Sequence, residues 1–106
     1  MISMSFKLYK NFLNAIFNET RFEIIKLLIK GPRSVNSISE NLRFEQSRVS
    51  HNLKKLECYA FVNYKCKGKE RIYSINKISH IREIIKSIDK YINRYNRIFK
   101  DCIKKN

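Results

Sequence analysis

At 106 residues the chain has the length of one domain, long enough to bury a real core. Lys and Arg number 23 against 9 Asp and Glu, and the net charge of +14 points to a polyanionic partner, nucleic acid before anionic membrane. Apolar runs are short and Lys26 interrupts the longest, which argues against a membrane span, and the first ten residues lack the apolar stretch of a signal peptide.

Within the N-terminal segment 1–17, residues 5–17 read as a helix with Phe6, Tyr9, Phe12, Leu13 and Ile16 on one broad side. Asn18 suits the N-cap of a second helix, because its side-chain oxygen can accept an orphan backbone N–H. Glu19 in the first turn complements the helix dipole. The apolar positions Phe22, Ile25, Leu28 and Ile29 continue that helix, and Gly31 followed by Pro32 ends it.

Residues 34–57 read as a helix, a sharp turn and a second helix. Ser34 caps a short helix through Val35, Ile38 and Leu42; Arg43, Phe44 and Glu45 form the turn, with Phe44 filling the space between the helices. The second helix starts at Gln46, with Glu45 a mediocre cap. It places Val49, Leu53 and Leu56 on one face at spacings of four and three. The opposite face carries Gln46, Ser47, Arg48, Ser50, His51 and Lys54. These are short or forked hydrogen-bonding side chains, unlike the Glu/Lys mixture of a solvated face, and they suit insertion into a DNA major groove. Arg48 is the best candidate for guanine, through a bidentate fork to N7 and O6. Gln46 could pair with adenine, while Ser47 and His51 suit phosphates as well as bases.

Residues 61–75 read as a two-stranded wing. Val62, Tyr64 and Cys66 alternate with Asn63, Lys65 and Lys67, Gly68 takes the turn, and Tyr73 and Ile75 return on one face. Lys65, Lys67, Lys69 and Arg71 lie near its tip. They are candidates for phosphate or minor-groove contact, although charge also protects any exposed sheet edge.

The segment 78–102 shows the cleanest period of all. Ile81, Ile85, Ile88, Ile92, Tyr95, Phe99 and Cys102 step by four and three. At about 1.5 Å per residue a helix of this length projects beyond a small wing domain, so its stripe needs a partner: the N-terminal helix, a second copy of the chain, or both. Phe12, Ile81, Ile85, Ile88, Ile92, Tyr95 and Phe99 are the expected dimer interface.

The order of elements and their residues resemble the ArsR-type winged helix-turn-helix repressors over roughly residues 12–92. The segments that carry the resemblance are Asn18-Glu19-Thr20-Arg21-Phe22, Val35-Asn36-Ser37-Ile38-Ser39, and above all Gln46-Ser47-Arg48-Val49-Ser50-His51, with Gly68, Arg71 and Tyr73 in the wing. The resemblance implies a homodimer, paired through its first and last helices, that binds a two-fold symmetric operator and represses transcription. The family's sensing chemistry does not carry over. Where metal-sensing members place Cys-x-Cys, this chain has Arg33-Ser34-Val35-Asn36. The cysteines of the cadmium- and lead-sensing branch align with Lys55 and Tyr59, and the last helix offers only His80 and Asp89.

The three cysteines, Cys58, Cys66 and Cys102, are odd in number and widely spaced, which fits a reducing cytoplasm rather than a disulfide framework. Each reads as a small buried hydrophobe before a sensor. The expected fold is mainly α with a small β-hairpin, a winged helix-turn-helix with a long C-terminal dimerisation helix. The expected function is a sequence-specific DNA-binding regulator in the cytoplasm, not an enzyme, with double-stranded DNA and itself as partners and no cofactor, metal or membrane; its effector is unassigned. An architectural protein that coats nucleic acid without reading sequence explains the charge equally well, but gains little from Gln and Ser on the exposed helix face. A third reading is an interaction module that joins a larger complex through the C-terminal stripe.

Overall fold

A computed structural model describes residues 4–105, giving only the backbone at Arg97, Phe99 and residues 103–105. The chain runs α1 (Met4–Ile16), α2 (Glu19–Ile29), β1 (Arg33–Ser34), α3 (Val35–Leu42), α4 (Gln46–Cys58), β2 (Val62–Lys67), β3 (Glu70–Ile75), a short 3-10 turn (Lys77–Ser79), α5 (Ile81–Arg94) and α6 (Asn96–Lys105). This is a winged helix-turn-helix.

Local chemistry sets most boundaries. The Asn18 side chain accepts from the Arg21 N–H at the start of α2, and Ser34 accepts from the Ser37 N–H at the start of α3. Gly31 after α2 has φ 151°, a conformation that side chains with a Cβ rarely adopt. α4 begins at Glu45 with no side-chain cap, in keeping with the poor capping residue there. The turn between α3 and α4 places Arg43 in the left-handed region, φ 58°. Ser39 holds this turn: its hydroxyl donates to the Phe44 carbonyl at 2.5 Å, and its carbonyl accepts the Phe44 N–H at 3.2 Å.

The core sits where α2 meets α3, α4 and the sheet. Ile24, Ile25, Ile38, Val49, Leu53 and Leu56 are fully buried there, joined by Val62, Tyr73 and Ile75 from the strands. α1 closes one side through Ala15 and Ile16, and Phe12 meets Phe61 edge-on at 5.4 Å. The C-terminal part is tied on by polar contacts to α2. Lys26 Nζ lies 2.8 Å from Asp89 Oδ2, and Arg82 donates to the Ile29 carbonyl at 2.8 Å.

Two sequence expectations need correction. The wing is a three-stranded antiparallel sheet of order β1-β3-β2, not a lone hairpin. β1 pairs Arg33 with Tyr73 and Ser34 with Ile72, and two residues are too few for an alternating pattern to register. The predicted continuous helix over 78–102 is interrupted. His80, at φ 55°, separates the 3-10 turn from α5, and Tyr95, at φ −108° and ψ 18°, separates the 14-residue α5 from the 10-residue α6. The apolar period of four and three passes through a one-residue break unchanged, so periodicity could not reveal it. Asn93 and Asn96, weak helix formers whose side chains compete for backbone partners, flank the break.

Candidate nucleic-acid interface

α4 is anchored on one side and open on the other. Val49, Leu53 and Leu56 have no exposed surface, while Gln46, Ser47, Arg48, His51 and Lys54 are exposed and Ser50 is half-buried. All six predicted contact residues of α4 therefore reach the surface along one helix. Gln46 Nε2 donates to Asn36 Oδ1 on α3. A polar cleft of about 280 Å³ lies between the start of α3, Gln46 and Ser50 of α4, and Lys69 and Arg71 of the wing.

The four basic wing residues do not act as one group. Directly opposed residues of an antiparallel pair share a face. Arg71 opposes Cys66 and lies on the face of the Tyr64–Tyr73 pair, whose rings are 5.3 Å apart. Its guanidinium stacks 4.5 Å from the Tyr64 ring centre. A hydrogen bond with Tyr73, with Tyr64 beside it, raises the Arg71 pKa above its ordinary value. Lys65 opposes Ile72 and Lys67 opposes Glu70, which puts both lysines on the other face. Lys69 sits in the two-residue turn with Gly68, whose φ of 63° a glycine adopts without penalty. Among the predicted wing contacts, Lys69 and Arg71 border the α4 cleft and Lys65 and Lys67 do not.

A network beneath α4 joins residues that the sequence does not mark as a site. Arg21 donates from Nε to the Ala15 carbonyl at 2.6 Å, from Nη2 to the Asn14 carbonyl at 3.1 Å, and from Nη1 to Asn52 Oδ1 at 3.0 Å. Buried Asn52 in turn donates to the Arg48 carbonyl at 2.8 Å. Arg48 Nε and Nη2 both donate to Thr20 Oγ1, at 2.9 and 2.5 Å, and its guanidinium lies 3.8 Å from the Phe44 ring centre. The adjacent pair Thr20-Arg21 at the start of α2, which carries part of the resemblance, is the available signal.

The predicted dimer residues divide. Ile81 and Ile85 are 0% and 1% exposed within the chain's own core, so they are not available to a second copy. A helix stripe wide enough for two partners cannot be apportioned from periodicity. Ile88 and Phe12 are half-buried, Ile92 and Tyr95 are exposed, and the Phe99 side chain lies outside the described residues. Tyr9 and Leu13 on α1 and Tyr91 and Ile98 on α5 and α6 add further exposed apolar surface. All three cysteines are exposed, which corrects the expectation that they are buried fillers. Cys102 continues the apolar spacing of the stripe and is exposed with the others. Among the described residues no group of three His, Cys, Asp or Glu side chains is placed to hold a metal ion, and no helix is long and apolar enough to cross a membrane.

Residues 18–64, from the cap of α2 into β2, match the family described as bacterial regulatory protein, arsR family. The matched segment holds the α2 cap, Thr20, Arg21, α3 and the whole of α4. Over 103 residues, 97% of this chain and 94% of the other, the protein is 26% identical to an arsenical resistance operon repressor of Staphylococcus xylosus. It is 37% identical over 60 residues, 57% of this chain, to an HTH-type transcriptional regulator of Methanocaldococcus jannaschii, but that match spans only 15% of the archaeal protein. Among solved structures, Rv0081 of Mycobacterium tuberculosis matches with TM-score 0.77 at 22% identity, covering 95% of this chain and 98% of that one. A winged helix-turn-helix DNA-binding domain of Mycobacterium bovis, described as homodimeric, matches with TM-score 0.67 at 21% identity and covers 78% of each chain. The fold is shared with these solved structures.

Proposed function

We infer that the protein is a sequence-specific transcriptional repressor that binds double-stranded DNA as a homodimer, with α4 in the major groove and the wing on the flanking backbone. One observation carries this reading. α4 is locked into the core by Val49, Leu53 and Leu56, and its outer face of Gln46, Ser47, Arg48, Ser50, His51 and Lys54 adjoins the cations Lys69 and Arg71. Rigid placement of donors and acceptors suits reading of base edges, and cations beside them suit holding phosphates. The name of the Staphylococcus relative supports repression, and the homodimeric Mycobacterium bovis domain supports pairing. Exposed apolar residues on α1, α5 and α6 supply a surface for the second copy.

Selection of preferred sites from random duplexes, followed by competition against bulk DNA, tests the reading. A two-fold symmetric site should emerge, with half-sites roughly 34 Å apart, and the protein should prefer it at least about a thousand-fold. Equal affinity for every sequence would replace this function with the architectural one.

A further inference from the structure

A guanidinium has five N–H groups, enough to serve two partners at once. In Arg48 the side edge, Nε and Nη2, is already taken by Thr20 Oγ1 from α2, and one flat side is covered by the Phe44 ring. Among the described residues Nη1 has no hydrogen bond and Arg48 has no ion pair, and the residue is exposed. The Nη1–Nη2 end is therefore available, and it is itself a two-pronged donor that matches N7 and O6 of guanine.

The partner's chemistry matters. A carboxylate at position 20 would orient Arg48 and also neutralise it, competing with any acceptor on DNA. A neutral hydroxyl orients the fork and leaves its charge intact. Holding the side chain before DNA arrives also reduces the ordering cost on binding. A simple tether between α2 and α4 needs none of this, because Ile24, Val49 and Leu53 already bury that contact and Arg21 already reaches Asn52.

Resting on the sequence-specific reading above, we propose that Thr20, with Phe44 behind it, is a positioning residue that aims the free end of Arg48 at one guanine of the operator. Thr20 then sets a base preference from a helix outside the groove. Thr20→Val keeps the shape and removes the hydroxyl at a site only 6% exposed; Thr20→Ser keeps the hydroxyl. The test is site selection and competition binding for the parent, both Thr20 variants, Arg48→Ala and the Thr20→Val/Arg48→Ala double variant, with thermal unfolding of each. Thr20→Val should lose roughly five- to hundred-fold discrimination at a single base position, the position that Arg48→Ala also loses. Its affinity for random DNA and its salt dependence should stay at the parent's. Thr20→Ser should restore the preference, and Thr20→Val should add nothing to Arg48→Ala. If Thr20→Val does not fold, Phe44→Leu should show the same loss at the same position. A parent that selects a site while Thr20→Val, or failing that Phe44→Leu, keeps full discrimination at the Arg48 position overturns this proposal alone. Weakening spread evenly over all sequences overturns it too, as does a parent without any preferred site, which removes the regulator reading as well.

Discussion

Arg21→Met should loosen α1 from the rest of the fold, and the structure allows its size to be worked out. The substitution keeps an unbranched side chain and removes three donors: those to the Ala15 carbonyl at 2.6 Å, the Asn14 carbonyl at 3.1 Å and Asn52 Oδ1 at 3.0 Å. Hydrogen bonds to a charged group contribute about 1.5–3 kcal/mol each, but water can replace the partner at Asn14, where the bond is exposed, and in part at Ala15. Asn52, 8% exposed, has no such substitute for its oxygen. The net loss is then about 2–4 kcal/mol. Urea unfolding at fixed protomer concentration reads it, since subunit pairing would otherwise shift the midpoint. With a slope of roughly 1–3 kcal/mol per molar urea, the midpoint should fall by about 0.7–4 M. Arg21→Lys, which keeps the charge but not the fork, should fall in between. An Arg21→Met midpoint within error of the parent's would refute the clamp.

On the wing, Lys69→Ala and Arg71→Ala should weaken all DNA sequences alike and lower the salt slope by about one unit per lost contact, whereas Lys65→Ala and Lys67→Ala, on the other face, should change it less. A larger effect from the lysines would reverse the assignment of faces. For pairing, Ile88→Asp with Ile92→Asp should give monomers in analytical ultracentrifugation with the thermal transition retained, because neither residue is fully buried within the chain. Unchanged dimers would move the interface elsewhere, and a monomeric parent at micromolar concentration would remove it. Replacing Cys58, Cys66 and Cys102 with Ser should leave DNA affinity as insensitive to zinc or mild oxidant as in the parent; release of the parent by stoichiometric metal or peroxide would overturn that expectation.

The elements that sequence made legible are those with strong local chemistry. Asn18 and Ser34 cap their helices, Gly31 ends α2, and Val49, Leu53 and Leu56 bury one side of α4, each as its residue type suggests. What stayed hidden depends on three-dimensional pairing. β1 exists because Arg33 and Ser34 find β3, far along the chain. The break at Tyr95 leaves the apolar spacing intact, and the inward placement of Ile81 and Ile85 depends on how α5 packs. Arg48 reads as a free side chain in the sequence, since Thr20 lies 28 residues away and only the fold brings the hydroxyl beneath it.

The net charge of +14 points to a polyanion, yet it places the interface poorly. The excess of cations extends to Lys65 and Lys67 on the far face of the wing and to Lys26, which is paired with Asp89 on α5. Cations distributed so broadly favour polyanions of any sequence, and salt screens that attraction. Discrimination needs donors and acceptors held in register, and here uncharged side chains do much of the holding. Ser39 closes the turn, Phe44 backs the Arg48 guanidinium, Asn52 takes up the Arg48 carbonyl, and the Thr20 hydroxyl accepts its side edge. Removing surface lysines should therefore lower affinity while preserving preference, and removing these neutral supports should erode preference while largely preserving the salt-dependent attraction. That opposition separates a reader of sequence from a coat of positive charge.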